Sequence, residues 1–190
     1  MPDANLTERQ RKWFATVREG LERDTGKTMA EWVAIALKCP ETAHRARLKW
    51  FKDTHGLLQN RASQVISEAF GSKIAWSQPE TLIDSLWSDA ASRAIFEAVN
   101  ARATAVPSVI RTARKGYTAW SRQVQFAAMR PIKGGKAMLG LAAPPEINRR
   151  LAARGSEPWS ERLTSRMALE SPAAVDDAVA ILLRAAWEKA

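Results

Sequence analysis

Apolar residues recur three and four positions apart through the first seventy residues, the spacing of one buried face of an α-helix. Trp13, Phe14, Val17 and Leu21 form the first such run. Thr7 and Gln10 make a capping-box pattern ahead of it, and Gly26 in "DTG" suits the residue just past the helix end. Thr28 and Glu31 in "TMAE" repeat the box and open a second helix that buries Trp32, Ile35 and Ala36. Further helices are predicted from about Thr42 to Asp53 and from about Gln59 to Phe70. Four short helices with tight connections predict a compact all-α unit.

Residues 77–103 keep the helical period. Ser77, Pro79 and Glu80 suit a helix start, followed by Leu82, Ile83, Leu86 and Trp87, then Ala91, Ile95, Phe96 and Val99 up to about Arg102. After Val106-Pro107 the period shortens. "SVIRTA", "TAWSRQ", "VQFAAMR" and "KAMLGLA" are short, partly alternating segments that read as strands. "PIKGGK" separates the last two as a hairpin turn, with Gly134-Gly135 supplying positive φ. "APPEINRRLAARGSEP" reads as a loop around a helical turn or two, and "ERLTSRMAL" as a further strand. That strand would carry Leu163, Ser165, Met167 and Leu169 on one face and Arg162, Thr164 and Arg166 on the other. Pro172 is expected at the first position of a closing helix with the stripe Val175, Val179, Leu182, Leu183 and Trp187. The pattern predicts the α+β class. A small helical domain is expected over residues 1–75, and an antiparallel sheet packed with helices over residues 76–190.

Two stretches carry a resemblance. "TGKTMAEWVAIA" (25–36), followed by "KWFKDTHGLLQNRASQVI" (49–66), combines a TGK-type turn with a Trp-bearing helix and a second Trp-bearing helix ending in His-Gly-Leu. Over roughly residues 8–70 this resembles the bacterial domain-of-unknown-function family 4287. "GYTAWSRQVQFAAMRPIKGGKAMLGLA" and the closing "AAWEKA" look like domain-of-unknown-function family 5655, related to YdhG-like α+β domains. The resemblance implies the two-domain layout and transfers no catalytic residue, because neither family has an established activity.

Charge changes the functional picture more than composition does. The 46% hydrophobic content is that of an ordinary globular chain. Of the net +9, residues 109–166 hold 12 basic and 3 acidic residues, so the whole excess sits in one stretch of the second half. A clustered excess makes a local positive field that recruits polyanions. Arg111, Arg114, Lys115, Arg122, Arg130, Lys133 and Lys136 lie on the predicted strands or their turns, interleaved with Tyr117 and Trp120. Such a sheet face can pair with phosphates and stack on bases, and Arg162 and Arg166 would join it from their own strand. DNA or RNA is therefore one expected partner. The other reading is a solvated face whose arginine stems cover apolar surface.

Residues 54–66, "THGLLQNRASQVI", have the outline of a helix-hairpin-helix. Gly56, Asn60 and Arg61 could approach a phosphate there, although Leu58 stands where a second glycine would lie. The alternative is a C-capping Gly56 with Leu57 and Leu58 plugging the helical core.

Support for catalysis is thin. His44 and His55 fall at separate ends of one helix, and the lone Cys39 has no evident partner. Asp176-Asp177 fit the first turn of a helix, where the macrodipole favours acids. "RPIKGGK" lacks the Ser/Thr and following helix of a phosphate loop, and neither HExxH nor CxxC occurs. No catalytic residue, metal or cofactor is expected. The single cysteine and the absence of an apolar leader or membrane-length segment point to a cytoplasmic setting without membrane attachment.

The eight tryptophans leave a third option. Trp13, Trp32, Trp50 and Trp87 are expected in the core. Trp76, Trp120 and Trp159 sit near loops or strand ends, where they either pack or line a groove for a small aromatic or apolar ligand. A protein-interaction adaptor is the remaining alternative.

Overall fold

Helix caps and strand registers can be assigned from a computed structural model that describes residues 6–71 and 79–190. Two compact units divide the described residues, one taking in residues 8–71 and the other residues 79–190 with Leu6 and Thr7. Ser77 and Trp76 lie outside the described residues.

The helical unit contains α1 (Glu8–Thr25), α2 (Met29–Leu37), α3 (His44–His55) and α4 (Gln59–Phe70). Both halves of the box that opens α2 form. The Glu31 N–H donates to Thr28 Oγ1 at 3.3 Å, and the Thr28 N–H donates to Glu31 Oε2 at 2.7 Å. α3 starts two residues later than the spacing suggests, after an Ala43 that offers no side-chain cap. Leu21, Trp32, Phe51, Leu57, Val65 and Ile66 form the centre of the core. The indole N–H of Trp32 donates to Thr25 Oγ1 at 3.0 Å, so the buried ring leaves no orphan donor. Trp13 departs from expectation and is 48% exposed. α1 buries Gly20 and Leu21 near its C-terminal end, so the start of its apolar stripe lies beyond that core.

The second unit contains α5 (Pro79–Leu86), α6 (Ala90–Thr104), β1 (Ile110–Ala113), β2 (Thr118–Ser121), β3 (Gln125–Ile132), β4 (Lys136–Leu141), β5 (Ala152–Ala153), β6 (Ser165–Leu169) and α7 (Asp177–Glu188). The strands form one sheet in the order β1-β2-β3-β4-β6-β5, with every neighbouring pair antiparallel. β5 interrupts the stretch expected to be loop. β3 runs through Pro131 into what the sequence suggests is turn. β2 ends level with Met129, so at Pro131 the strand has a neighbour on one side only, where proline is tolerated. The turn itself has the expected glycines, with φ of 80° at Gly134 and 69° at Gly135.

The closing helix also starts later than expected. Pro172 begins a short 3-10 turn, and Asp176 is the N-cap of α7, accepting from the Val179 N–H at 3.1 Å. That bond and the Arg150 guanidinium hold the Asp176 carboxyl below its usual range against a smaller effect of burial.

One sheet face carries Trp120, Ala127, Met129, Leu139, Leu141, Met167 and Leu169 and buries them against α5, α6 and α7. Trp87, Phe96 and Trp120 stack through this layer, with centroids 4.9 and 6.1 Å apart. The opposite face is covered by a smaller cluster built on Ala119, Ala128, Trp159 and Leu163.

Candidate nucleic-acid interface and the second sheet face

Antiparallel register sorts the basic residues between two faces and two ends of the sheet. Arg111 lies directly opposite Trp120, on the helix-covered side, and its guanidinium is paired with Glu80 of α5. Trp120 cannot stack on a base. It is 0% exposed, and its indole N–H donates to Asn100 Oδ1 at 3.0 Å. The strand alternation that places Trp120 among the arginines turns its ring toward α6.

Arg122 lies at the β2–β3 turn, with its guanidinium 4.4 Å from the Trp187 ring centre. Arg162 is not on a strand with Arg166. β6 begins at Ser165, and Arg162 lies in the exposed turn before it. Arg166 projects from β6 on the second face, opposite Gly140, and pairs with Glu157.

The remaining members of the predicted set gather at the other end of the sheet. The β1–β2 turn carries Arg114, Lys115 and Tyr117, and the β3–β4 turn carries Lys133 and Lys136 at its edges. Arg130 stands one residue beyond Met129, which pairs with Thr118, so it lies on the Tyr117 side of the same end. Lys136 is paired with Glu170. Lys115 and Lys133 are exposed and, like Arg130, have no carboxylate partner among the described residues. Glu170 and Asp89 are acids at this end, and the Asp89 carboxylate caps α6 beside Gly135.

At the helical hairpin, the C-capping geometry is complete. Gly56 has a φ of 67°, its N–H donates to Lys52 O at 3.0 Å, and the Leu57 N–H donates to Phe51 O at 3.2 Å. The Gly56 bond, from the residue just past the helix end to the carbonyl four positions back, is that of an αL cap. Leu57 plugs the core, whereas Leu58, expected to join it, is 69% exposed. Arg61 is paired with Asp24 and, together with Arg23, holds that carboxyl below its usual range. Asn60 is exposed at the start of α4. Of Gly56, Asn60 and Arg61, therefore, the glycine serves the cap and the arginine serves an ion pair.

The second sheet face holds what the strand pattern does not announce. Ala119, Ala128 and Gly140 stand side by side on β2, β3 and β4, and the Trp159 indole lies over that row. A Cβ on Gly140 would fall 2.6 Å from Trp159 Cε2 and 2.8 Å from Nε1, so only glycine admits the ring. Tyr117 meets Trp159 edge-on, with centroids 6.2 Å apart. Arg154 Nη2 donates to the carbonyls of Trp159 at 3.2 Å and Glu157 at 3.4 Å, binding the covering segment to the end of β5. Three small residues at matching positions on adjacent strands are the one signal in the sequence for a large covering ring.

Glu157 is the buried acid of this face, with its side chain 1% exposed. Burial pushes its carboxyl upward. The Arg166 guanidinium and the Gly155 N–H, at 2.8 Å, together outweigh burial and hold it below the ordinary range. A lowered folded value stabilises the fold above the ordinary carboxylate pKa, and that stabilisation fades as pH falls through the folded value. Denaturant unfolding from about pH 7 down to about pH 3 should therefore show an acid loss that Glu157→Gln makes shallower. An unchanged profile in the variant would remove Glu157 from the acid response.

The family model described as a domain of unknown function, DUF5655, matches residues 83–190, more than half of the chain. The chain belongs to the DUF5655 family. The match begins within α5 and takes in the whole sheet, its covering segment and α7. A second model, a domain of unknown function named DUF4287, matches residues 12–70 of the helical unit. No curated protein and no solved structure matches the chain. Among the described residues, no helix is long and apolar enough to cross a membrane.

Proposed function

We propose that the DUF5655 unit binds nucleic acid, using the end of its sheet formed by the β1–β2 and β3–β4 turns. The observation that supports this reading is the grouping of Lys115, Arg130 and Lys133 there without carboxylate partners among the described residues, beside the half-buried ring of Tyr117. The two turns stand two strand spacings apart, about 10 Å, which lets one backbone be held at more than one phosphate. Tyr117 adds a surface on which an unpaired base can stack. Binding of this kind is led by phosphate neutralisation, needs no catalytic group, and suits a chain with one cysteine in a reducing cytoplasm.

The test is an electrophoretic shift series at two salt concentrations with single-stranded DNA, duplex DNA and RNA. Combined Lys115→Gln, Arg130→Gln and Lys133→Gln should weaken binding to all sequences. It should also flatten the salt slope by about 2–3 units, at about 0.7–0.9 per lost phosphate contact. Arg122→Gln with Arg162→Gln, at the opposite end of the sheet, should leave the slope unchanged. So should Leu58→Gly at the helical hairpin. No binding of the wild-type chain to any of the three at low salt would end this reading.

A further inference from the structure

Three buried side-chain donors on the second sheet face have no hydrogen-bond acceptor: Arg130 Nε, Arg154 Nε and Trp159 Nε1. Burying an N–H without a partner carries a desolvation cost, and folded proteins avoid it unless a water, an ion or a function fills the gap. Trp159 is the sharpest case, at 3% exposure with its N–H over the backbone of Gly140. The other buried indoles with described partners do not share the defect: Trp32, Trp87 and Trp120 each donate at 3.0 Å.

The orphans are all of one kind. They are donors, so what completes them is an acceptor. The same face carries the guanidiniums of Arg154 and Arg166, and at its turn end that of Arg130, with Glu157 as its one buried carboxylate among the described residues. Both Glu157 oxygens are already used, one by Arg166 and the other by the Gly155 N–H. Arg154 therefore stands beside the Trp159 segment without a buried counter-charge, whereas Arg130 lies at the turn end of the sheet, opposite Met138. A phosphate group supplies about −1.5 to −2 at neutral pH together with several acceptor oxygens. The segment over the face is tied down by few main-chain bonds. Arg154 holds it through two carbonyls, and Gln125 accepts from the Ser160 N–H at 3.2 Å. A cover held by side chains opens locally at lower cost than one held in a strand ladder.

We propose that this face is a seat for a phosphate group, held beneath residues 154–164 by Trp159 Nε1–H and the Arg154 guanidinium. The seat rests on Arg154 and Trp159, neither of which the nucleic-acid reading uses, and the variants that test it touch none of Lys115, Arg130 and Lys133.

The readout is the indole region of a 1H–15N spectrum of the full chain. The resonance absent from Trp159→Phe assigns the Trp159 N–H. Adding inorganic phosphate at constant ionic strength should move that resonance saturably in the wild-type chain. Arg154→Gln should weaken the apparent affinity about tenfold, the contribution of one charge-assisted hydrogen bond. Sodium acetate at the same ionic strength should produce a much smaller shift, because it offers less charge and fewer acceptor oxygens than phosphate. Methyl phosphate run beside inorganic phosphate separates a seat for a phosphate monoester, where both act, from one for the free ion, where only inorganic phosphate acts. If neither moves the Trp159 resonance, or if acetate moves it equally, the phosphate seat is overturned. An unchanged titration in Arg154→Gln would overturn it as well. Should Trp159→Phe fail to fold, specific labelling and the Arg154→Gln titration still decide the matter.

Discussion

Trp120→Ala is expected to lower the stability of the DUF5655 unit by about 3–5 kcal/mol, the range for truncating a fully buried large aromatic. The ring is 0% exposed and stacks on Phe96, which in turn stacks on Trp87. The substitution opens a cavity between β2 and α6, and it also strands Asn100 Oδ1, the acceptor of the indole N–H. Trp120→Phe keeps most of the stack and removes only that hydrogen bond and one ring. Its cost should be correspondingly smaller, about 1–2 kcal/mol. The measurement is denaturant unfolding, with the transition of the sheet-bearing unit followed separately because a two-unit chain need not unfold in one step. Nucleic-acid affinity of the folded Trp120→Phe protein should equal that of the wild type. A loss of affinity without a loss of stability would return Trp120 to the binding surface and contradict its burial.

Gly140→Ala is expected to be the most damaging single added methyl on the second face. Its Cβ would meet three atoms of the Trp159 indole at 2.6–2.8 Å, and a rigid ring cannot yield as the tip of a flexible chain would. If the strain is absorbed in place, overpacking of this sort costs about 1–3 kcal/mol. If the ring is expelled instead, the loss moves toward the ~3–5 kcal/mol of a lost core aromatic. Expulsion can be read directly, because the Trp159 indole N–H would then exchange with solvent and its resonance would move to an exposed position. A Gly140→Ala chain with wild-type stability and an unmoved Trp159 resonance would mean the ring does not lie on Gly140. Gly155→Ala provides a contrast. Its added methyl meets the Arg166 guanidinium at 2.5 Å, the far end of a side chain that can shift, so the cost should be smaller.

The sequence by itself determined the local features of this protein. The capping box of Thr28 and Glu31, the Gly56 stop, the bounds of α4 and the Gly134-Gly135 turn depend on residues within a few positions of each other. Helical period and strand alternation are likewise local, and they were enough to give the α+β class and a helical unit preceding an antiparallel sheet. The late starts of α3 and α7 and the continuation of β3 through Pro131 are shifts at element ends, where a cap or a neighbouring strand decides.

Only the tertiary structure decided which side of each strand faces the helices. Alternation says that two sides differ. It does not say which one the helices cover, because both sides of this sheet are covered: one by α5, α6 and α7, the other by the segment bearing Trp159. That is why Trp120 reads as a stacking candidate and turns out to be core. The fate of the arginines was equally hidden. Arg111 meets Glu80, Lys136 meets Glu170 and Arg61 meets Asp24 across 31, 34 and 37 positions of chain, and a charge count over one stretch cannot see a partner in another. The clustered +9 is therefore a property of the sequence, and its free part is a property of the fold. Register and ion pairing leave Lys115, Arg130 and Lys133 at one end of the sheet, and burial leaves the Arg154 and Trp159 donors unpaired beneath their cover.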